Sequence, residues 1–164
     1  MSITSQAPAT RDARALLTPE EFTGVVSTVL RANPGMEQPL AERITLEALK
    51  FVATAAGRTG RRMAPSPVVD EGWHALILHT RVYAELNARL GGRFVHHIPQ
   101  PPSPTHVGVP GILASTQAAI ELAGFAVDAE LWQVGPKAVA GADCQHVPSC
   151  GDNDCEVECE SGPN

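Results

Sequence analysis

The sequence predicts an all-α protein: a compact bundle of about four helices, followed by a disordered, acidic, Cys-rich tail. Three observations carry that expectation. Apolar residues between positions 18 and 134 recur at intervals of three and four, the period of a helix face, rather than alternating as in a strand. Two runs open on a hydroxyl residue followed by proline, Thr18-Pro19 and Ser66-Pro67, which is how helices start. From Gly135 onward the composition turns to Gly, Pro, Asp, Cys and Glu, and no apolar period survives to build a core.

The elements follow in order. Residues 1–17 lack a periodic pattern and are expected to be a flexible N-terminus. Thr18-Pro19-Glu20-Glu21 forms a capping box, with Thr18 as N-cap and Glu21 three positions on. Phe22, Val25, Val26, Val29 and Leu30 then mark one face, until Asn33-Pro34-Gly35 stops the helix. A second helix is expected from Pro39 to Ala56, with Leu40, Ile44, Ala48, Phe51 and Val52 as its stripe. Positions 57–66 form a Gly/Arg/Pro loop, and Arg58, Arg61 and Arg62 in it read as a solvated cluster. The third helix, 67–90, runs to Gly91-Gly92. Two of its neighbouring faces are largely apolar, so it is expected to be central and well buried. An extended piece follows at 93–98, then a connector with five prolines between Pro99 and Pro110. A fourth helix spans Ile112 to Leu122 and ends before Gly124, and Asp128 can cap one further turn carrying Leu131 and Trp132. The chain thus divides into a flexible 1–17, a helical domain at 18–134 and a tail at 135–164.

Charge narrows the functional classes. The chain has 18 acids and 12 bases, and the six acids beyond Gly141 face no Lys or Arg there. The body is therefore balanced, and the tail holds the whole net charge of −6. A balanced body lacks the basic face of a nucleic-acid binder. No apolar run approaches the roughly 18 residues of a membrane span. No apolar leader core precedes residue 18, so the cytoplasm is the expected compartment.

Potential chemistry concentrates between Val69 and Pro99, which hold four of the six histidines. Asp70 and His74 stand four apart and so share one helix face. His96 and His97 follow the glycine break. A carboxylate and two imidazoles, two from a helix and one from the segment after it, make a sound donor set for zinc or non-haem iron. The same residues equally suit a structural network in which Asp70 orients His74. Adjacent residues of an extended segment point opposite ways, so only one of His96 and His97 is expected to reach the site. Trp73, Thr80, Arg81 and Tyr83 are expected to be structural or anchoring side chains around it.

The same block carries a family resemblance. Asp70-Xaa-Xaa-Trp73-His74, Thr80-Arg81-Xaa-Tyr83 and Phe94-Val95-His96-His97-Xaa-Pro99 resemble the glycine-rich domain-containing-protein-like family. The later Gly124-Phe125-Xaa-Val127-Asp128-Xaa-Glu130-Leu131-Trp132 resembles the C-terminal part of its bacterial members. The likeness spans Leu16 to Trp132 and is most specific in these motifs. Two features depart from it: this chain has no glycine-rich domain, and no cysteine near Asn87. The resemblance implies a fold and the place of a site, and no particular reaction.

The tail holds every cysteine, Cys144, Cys150, Cys155 and Cys159, with His146 among them. Paired CxxC spacing is absent, yet four thiols and an imidazole form a candidate second metal site. Three functions stay open on the sequence alone. The first is a metal-binding protein centred on Asp70, His74 and His96 or His97, with catalysis undecided. The second is a non-enzymatic interaction module with a structural Asp-His network. The third is the leader and Cys-rich core of a ribosomally made, modified peptide, whose partner would be a modifying enzyme acting on the tail.

Overall fold

In the computed structural model the described residues are 10–57, 62–98 and 111–133, with the backbone alone at 99, 144 and 145. They build five helices: α1 (Pro19–Ala32), α2 (Gln38–Ala56), α3 (Pro67–Leu78), α4 (Thr80–Leu90) and α5 (Ile112–Leu122). Two 3-10 turns, Ala13–Leu16 and Ala129–Trp132, flank them in sequence. Strand β1 (Ile98–Pro99) pairs antiparallel with β2 (Cys144–Gln145). No helix among the described residues is long and apolar enough to cross a membrane. The all-α expectation holds.

Local sequence explains most boundaries. Thr18 and Glu21 close the expected capping box, with Glu21 N donating to Thr18 Oγ1 at 3.2 Å and Thr18 N to Glu21 Oε2 at 2.8 Å. Ser66 caps α3 by accepting from Val69 N at 3.1 Å. The Gly91 backbone is left-handed, which ends α4 where a side chain would be strained. Ile44, Ala48, Phe51 and Val52 of α2 are buried as their spacing predicts, and they face Val69, Trp73 and Leu76 of α3 in one core. The two helix backbones come close at Gly72: a Cβ there would stand 2.8 Å from Ile44 O and 3.0 Å from Ala48 Cβ. Only glycine permits that approach.

The structure departs from expectation at three places. The stretch 67–90 is two helices, not one. His79 takes φ −85° and ψ 61°, outside the helical region, and Tyr83 N restarts the ladder by donating to His79 O. No glycine or proline marks this break. His79 Nε2 lies 2.9 Å from Thr28 Oγ1 on α1. In one straight helix Trp73 and Tyr83 would be separated by about 15 Å of rise. The bend brings Trp73 Nε1 within 3.1 Å of Tyr83 OH.

The second departure is the N-terminal boundary. Residues 10–17 are not a loose leader: Ala13 and Leu17 are buried, and Arg11 N donates to Gly124 O at 2.8 Å. The Arg11 guanidinium also lies 4.4 Å from the Phe125 ring centroid. Four residues of 3-10 turn are too few to leave a period in the sequence. The third concerns Asp128, which precedes the last turn without capping it. Its carboxylate is drawn instead to Arg43 of α2, at 2.6 and 3.0 Å. The expected disordered tail lies outside the described residues, apart from the backbone of 144–145, as do residues 1–9 and Arg58 and Arg61. Arg62 is exposed.

Candidate metal centre

Asp70 lies one turn into α3, and its i,i+4 partner His74 follows on the same face. Asp70 is only 1% exposed, while His74 keeps 35% of its side chain in contact with solvent. The third member arrives from the segment after α4. A short polar chain holds this segment in place. Trp73 Nε1 donates to Tyr83 OH, and Tyr83 OH donates to Val95 O. Asn87 Oδ1 accepts from Val95 N at 2.9 Å, and Asn87 Nδ2 donates to Tyr83 O at 2.8 Å. Burial pushes the Tyr83 phenol above its ordinary pKa, so it stays a neutral donor. Upstream, Gly92 lies against the end of α2, where a Cβ would stand 2.0 Å from Ala56 O.

With Val95 pinned on both its amide and its carbonyl, His97 comes to rest over Asp70. Its ring meets Trp73 at 4.7 Å and His74 at 4.3 Å between centroids, both edge-on. His74 Nδ1 lies 3.2 Å from Asp70 Oδ2, and His97 Nε2 lies 3.5 Å from Asp70 Oδ1. One donor atom from each residue falls within 4.8 Å of the others, an arrangement that could hold a metal ion. Ligands bound to one zinc ion at about 2.1 Å lie about 3.4 Å apart at tetrahedral angles.

The chemistry of this group is unusual for a core. Both carboxylate oxygens of Asp70, and Nε2 of His97, are buried without a hydrogen bond among the described residues. A carboxylate withdrawn from water without donors is destabilising by several kcal/mol unless a cation compensates it. The expected Asp70–His74 hydrogen bond is replaced by a contact of charge-pair distance with no hydrogen-bond geometry at the carboxylate.

Of the sequence-predicted residues, Asp70, His74 and His97 converge, and His96 does not. His96 is exposed, its ring 4.9 Å from Phe94. The alternation of neighbouring side chains separates the two histidines as anticipated. Trp73 and Tyr83 are buried in the clamp. Thr80 and Arg81 are exposed on α4. The break at His79 takes Arg81 off the face that it would share with His74 in a single helix. In the tail, His146, Cys150, Cys155 and Cys159 lie outside the described residues, and Cys144 is described in its backbone alone.

Sequence reasoning missed Asn87 and a second buried carboxylate, Glu47. Glu47 is fully enclosed, accepting from Trp132 Nε1 at 2.7 Å, Asp128 N at 3.1 Å and Lys50 Nζ at 2.5 Å. Its oxygens are saturated with donors, so it holds the C-terminal turn onto α2 and offers nothing to a ligand. One signal could have found it: Glu47 stands three residues after Ile44, inside the apolar stripe.

A family model described as UCP032817-like matches residues 14–103, which include the converging aspartate and both histidines. No curated protein and no solved structure matches the chain.

Proposed function

The chain belongs to the UCP032817-like family, and we propose that it binds one divalent metal ion through Asp70, His74 and His97. The observation that carries this reading is the buried Asp70 carboxylate with two unbonded oxygens facing two imidazoles. A cation supplies what that carboxylate lacks. Two imidazoles and one carboxylate suit zinc and ferrous iron, whereas calcium and magnesium prefer all-oxygen sites. The motifs behind the resemblance to glycine-rich domain-containing-protein-like members are the ones that supply the three donors and the Tyr83 clamp. This supports a metal site as the shared feature.

Metal analysis of the full chain tests the proposal. One equivalent of zinc or iron is expected in the purified protein, and none in Asp70→Asn, His74→Ala or His97→Ala. Added metal at a hundred times its dissociation constant should stabilise the wild type by about 2.7 kcal/mol. Acidification should weaken binding, because an imidazole must be neutral to ligate. A wild-type protein without stoichiometric metal, and with no thermal shift on adding zinc or ferrous iron, would falsify the reading.

A further inference from the structure

The three donors meet solvent unequally. Asp70 is 1% exposed and the His97 side chain 11%, whereas 35% of the His74 side chain reaches solvent. The inner side is walled by rings: Trp73, fully buried, stands edge-on to His97 at 4.7 Å, and Phe51 packs against Trp73 at 5.0 Å. An ion held by this group is thus enclosed on the Trp73 side and borders solvent on the His74 side. Charge is uneven as well. Two neutral imidazoles and one carboxylate leave a divalent ion with one positive charge uncompensated. Among the described residues no further carboxylate joins the group. Glu71, next to Asp70, has its carboxylate 3.5 Å from Asn33 Nδ2 of α1 instead. Beside a buried aromatic wall the local dielectric is low, so such a charge attracts an anion more strongly than it does in water.

We propose that the ion held by Asp70, His74 and His97 takes a small carboxylate from solution on its His74 side, so that the centre binds a ligand and is more than a structural clasp. The inference rests on the metal site proposed above and names the class of ligand which that site recognises. Zinc carries three protein donors where it binds water or substrate, and four where it is purely structural. Ferrous iron held by two histidines and one carboxylate likewise keeps positions for ligands from solution. A carboxylate brings the single negative charge that the ion still lacks, together with one more oxygen donor. It replaces water on the ion with no proton transfer, and its substituent extends past His74 into solvent.

Cobalt substitution of the full-length, reduced protein reports the ligand through its visible absorption bands. At constant ionic strength, acetate is expected to shift those bands along a curve that saturates at one acetate per cobalt. Azide should shift them too, and acetate should displace it. The cobalt should stay with the chain through gel filtration in either anion. Asp70→Asn should bind no cobalt and show no response. Three results overturn the inference while leaving the metal site standing. The first is a set of bands that neither anion moves; a thiolate-to-cobalt charge-transfer band beside them would make a cysteine of the chain the occupant. The second is a shift with azide alone, which rejects a carboxylate as the ligand. The third is a shift that accompanies loss of cobalt, which makes the anion a competitor for the metal. A wild-type chain that binds no cobalt, or cobalt that survives Asp70→Asn, overturns the three-residue site and this inference together.

Discussion

At the scale of single residues, Asp70 carries the most information. Its carboxylate is 1% exposed and lacks a hydrogen-bond donor among the described residues, in contrast to Glu47, whose oxygens are saturated by donors. Two buried carboxylates in one domain thus show opposite designs: one is completed by donors of the fold, the other has none among the described residues. This contrast predicts a trade between stability and binding. In metal-free protein, Asp70→Asn should raise the unfolding free energy by about 1 kcal/mol, because it removes an uncompensated buried charge. The same substitution should abolish metal-induced stabilisation. Urea unfolding with and without zinc measures both. A loss of about 3 kcal/mol in the metal-free state would instead mark Asp70 as half of a structural ion pair. The sequence showed Asp70 and His74 through their spacing of four, but not the missing donors, since solvation depends on every neighbour.

At the scale of elements, the site is made by a return stroke. Helix α3 presents two donors, the break at His79 turns α4 back, and the 91–97 segment lays the third donor over the first two. Tyr83 OH joins α3 to this segment by accepting from the Trp73 indole N–H and donating to Val95 O. Tyr83→Phe keeps the ring and removes the link, leaving two buried polar groups unpaired. It should destabilise by about 1–3 kcal/mol. As a positioning residue it should also weaken cobalt affinity by about tenfold, the lower end of losses seen when the support of a ligand is removed. Parallel urea and cobalt titrations check the pair of effects, and unchanged affinity would show that His97 is held by its ring contacts alone. The turn at His79 was illegible in the sequence. His79-Thr80 contains no helix breaker, and the side chain at the bend meets Thr28, 51 residues away.

At the scale of the whole molecule, both ends of the described chain are drawn onto α2 and α5. Arg11 bonds to Ala123 O and Gly124 O, and the 126–132 segment docks through Arg43, Glu47 and Lys50. The bond from Arg43 holds the Asp128 carboxyl below its ordinary pKa, against a smaller opposing effect of burial. The sign follows: a carboxyl with a lowered native pKa stabilises the fold above its unfolded value, near 3.9, and loses that contribution as pH falls through the native value. Wild type should therefore exceed Asp128→Asn in urea midpoint near neutrality, and the two should converge in acid. A difference independent of pH would assign the effect of Asp128 to packing. The sequence marked one further turn carrying Leu131 and Trp132, yet assigned Asp128 to a cap, because a cap is the only partner that a local reading can supply.

Sequence alone determined what depends on near neighbours. The capping box at Thr18, the Ser66 cap, the glycine and Asn-Pro-Gly stops, the apolar stripes and the i,i+4 pairing of Asp70 with His74 all act within a few residues. It also narrowed the second histidine to one of two, since alternation forbids both. Tertiary structure decided the rest: the bend at His79, the burial of the N-terminal turn, the enclosure of Glu47 and the choice of His97 over His96. Each of these depends on contacts between segments far apart in the chain, where close packing and desolvation select among conformations that local preferences leave nearly equal.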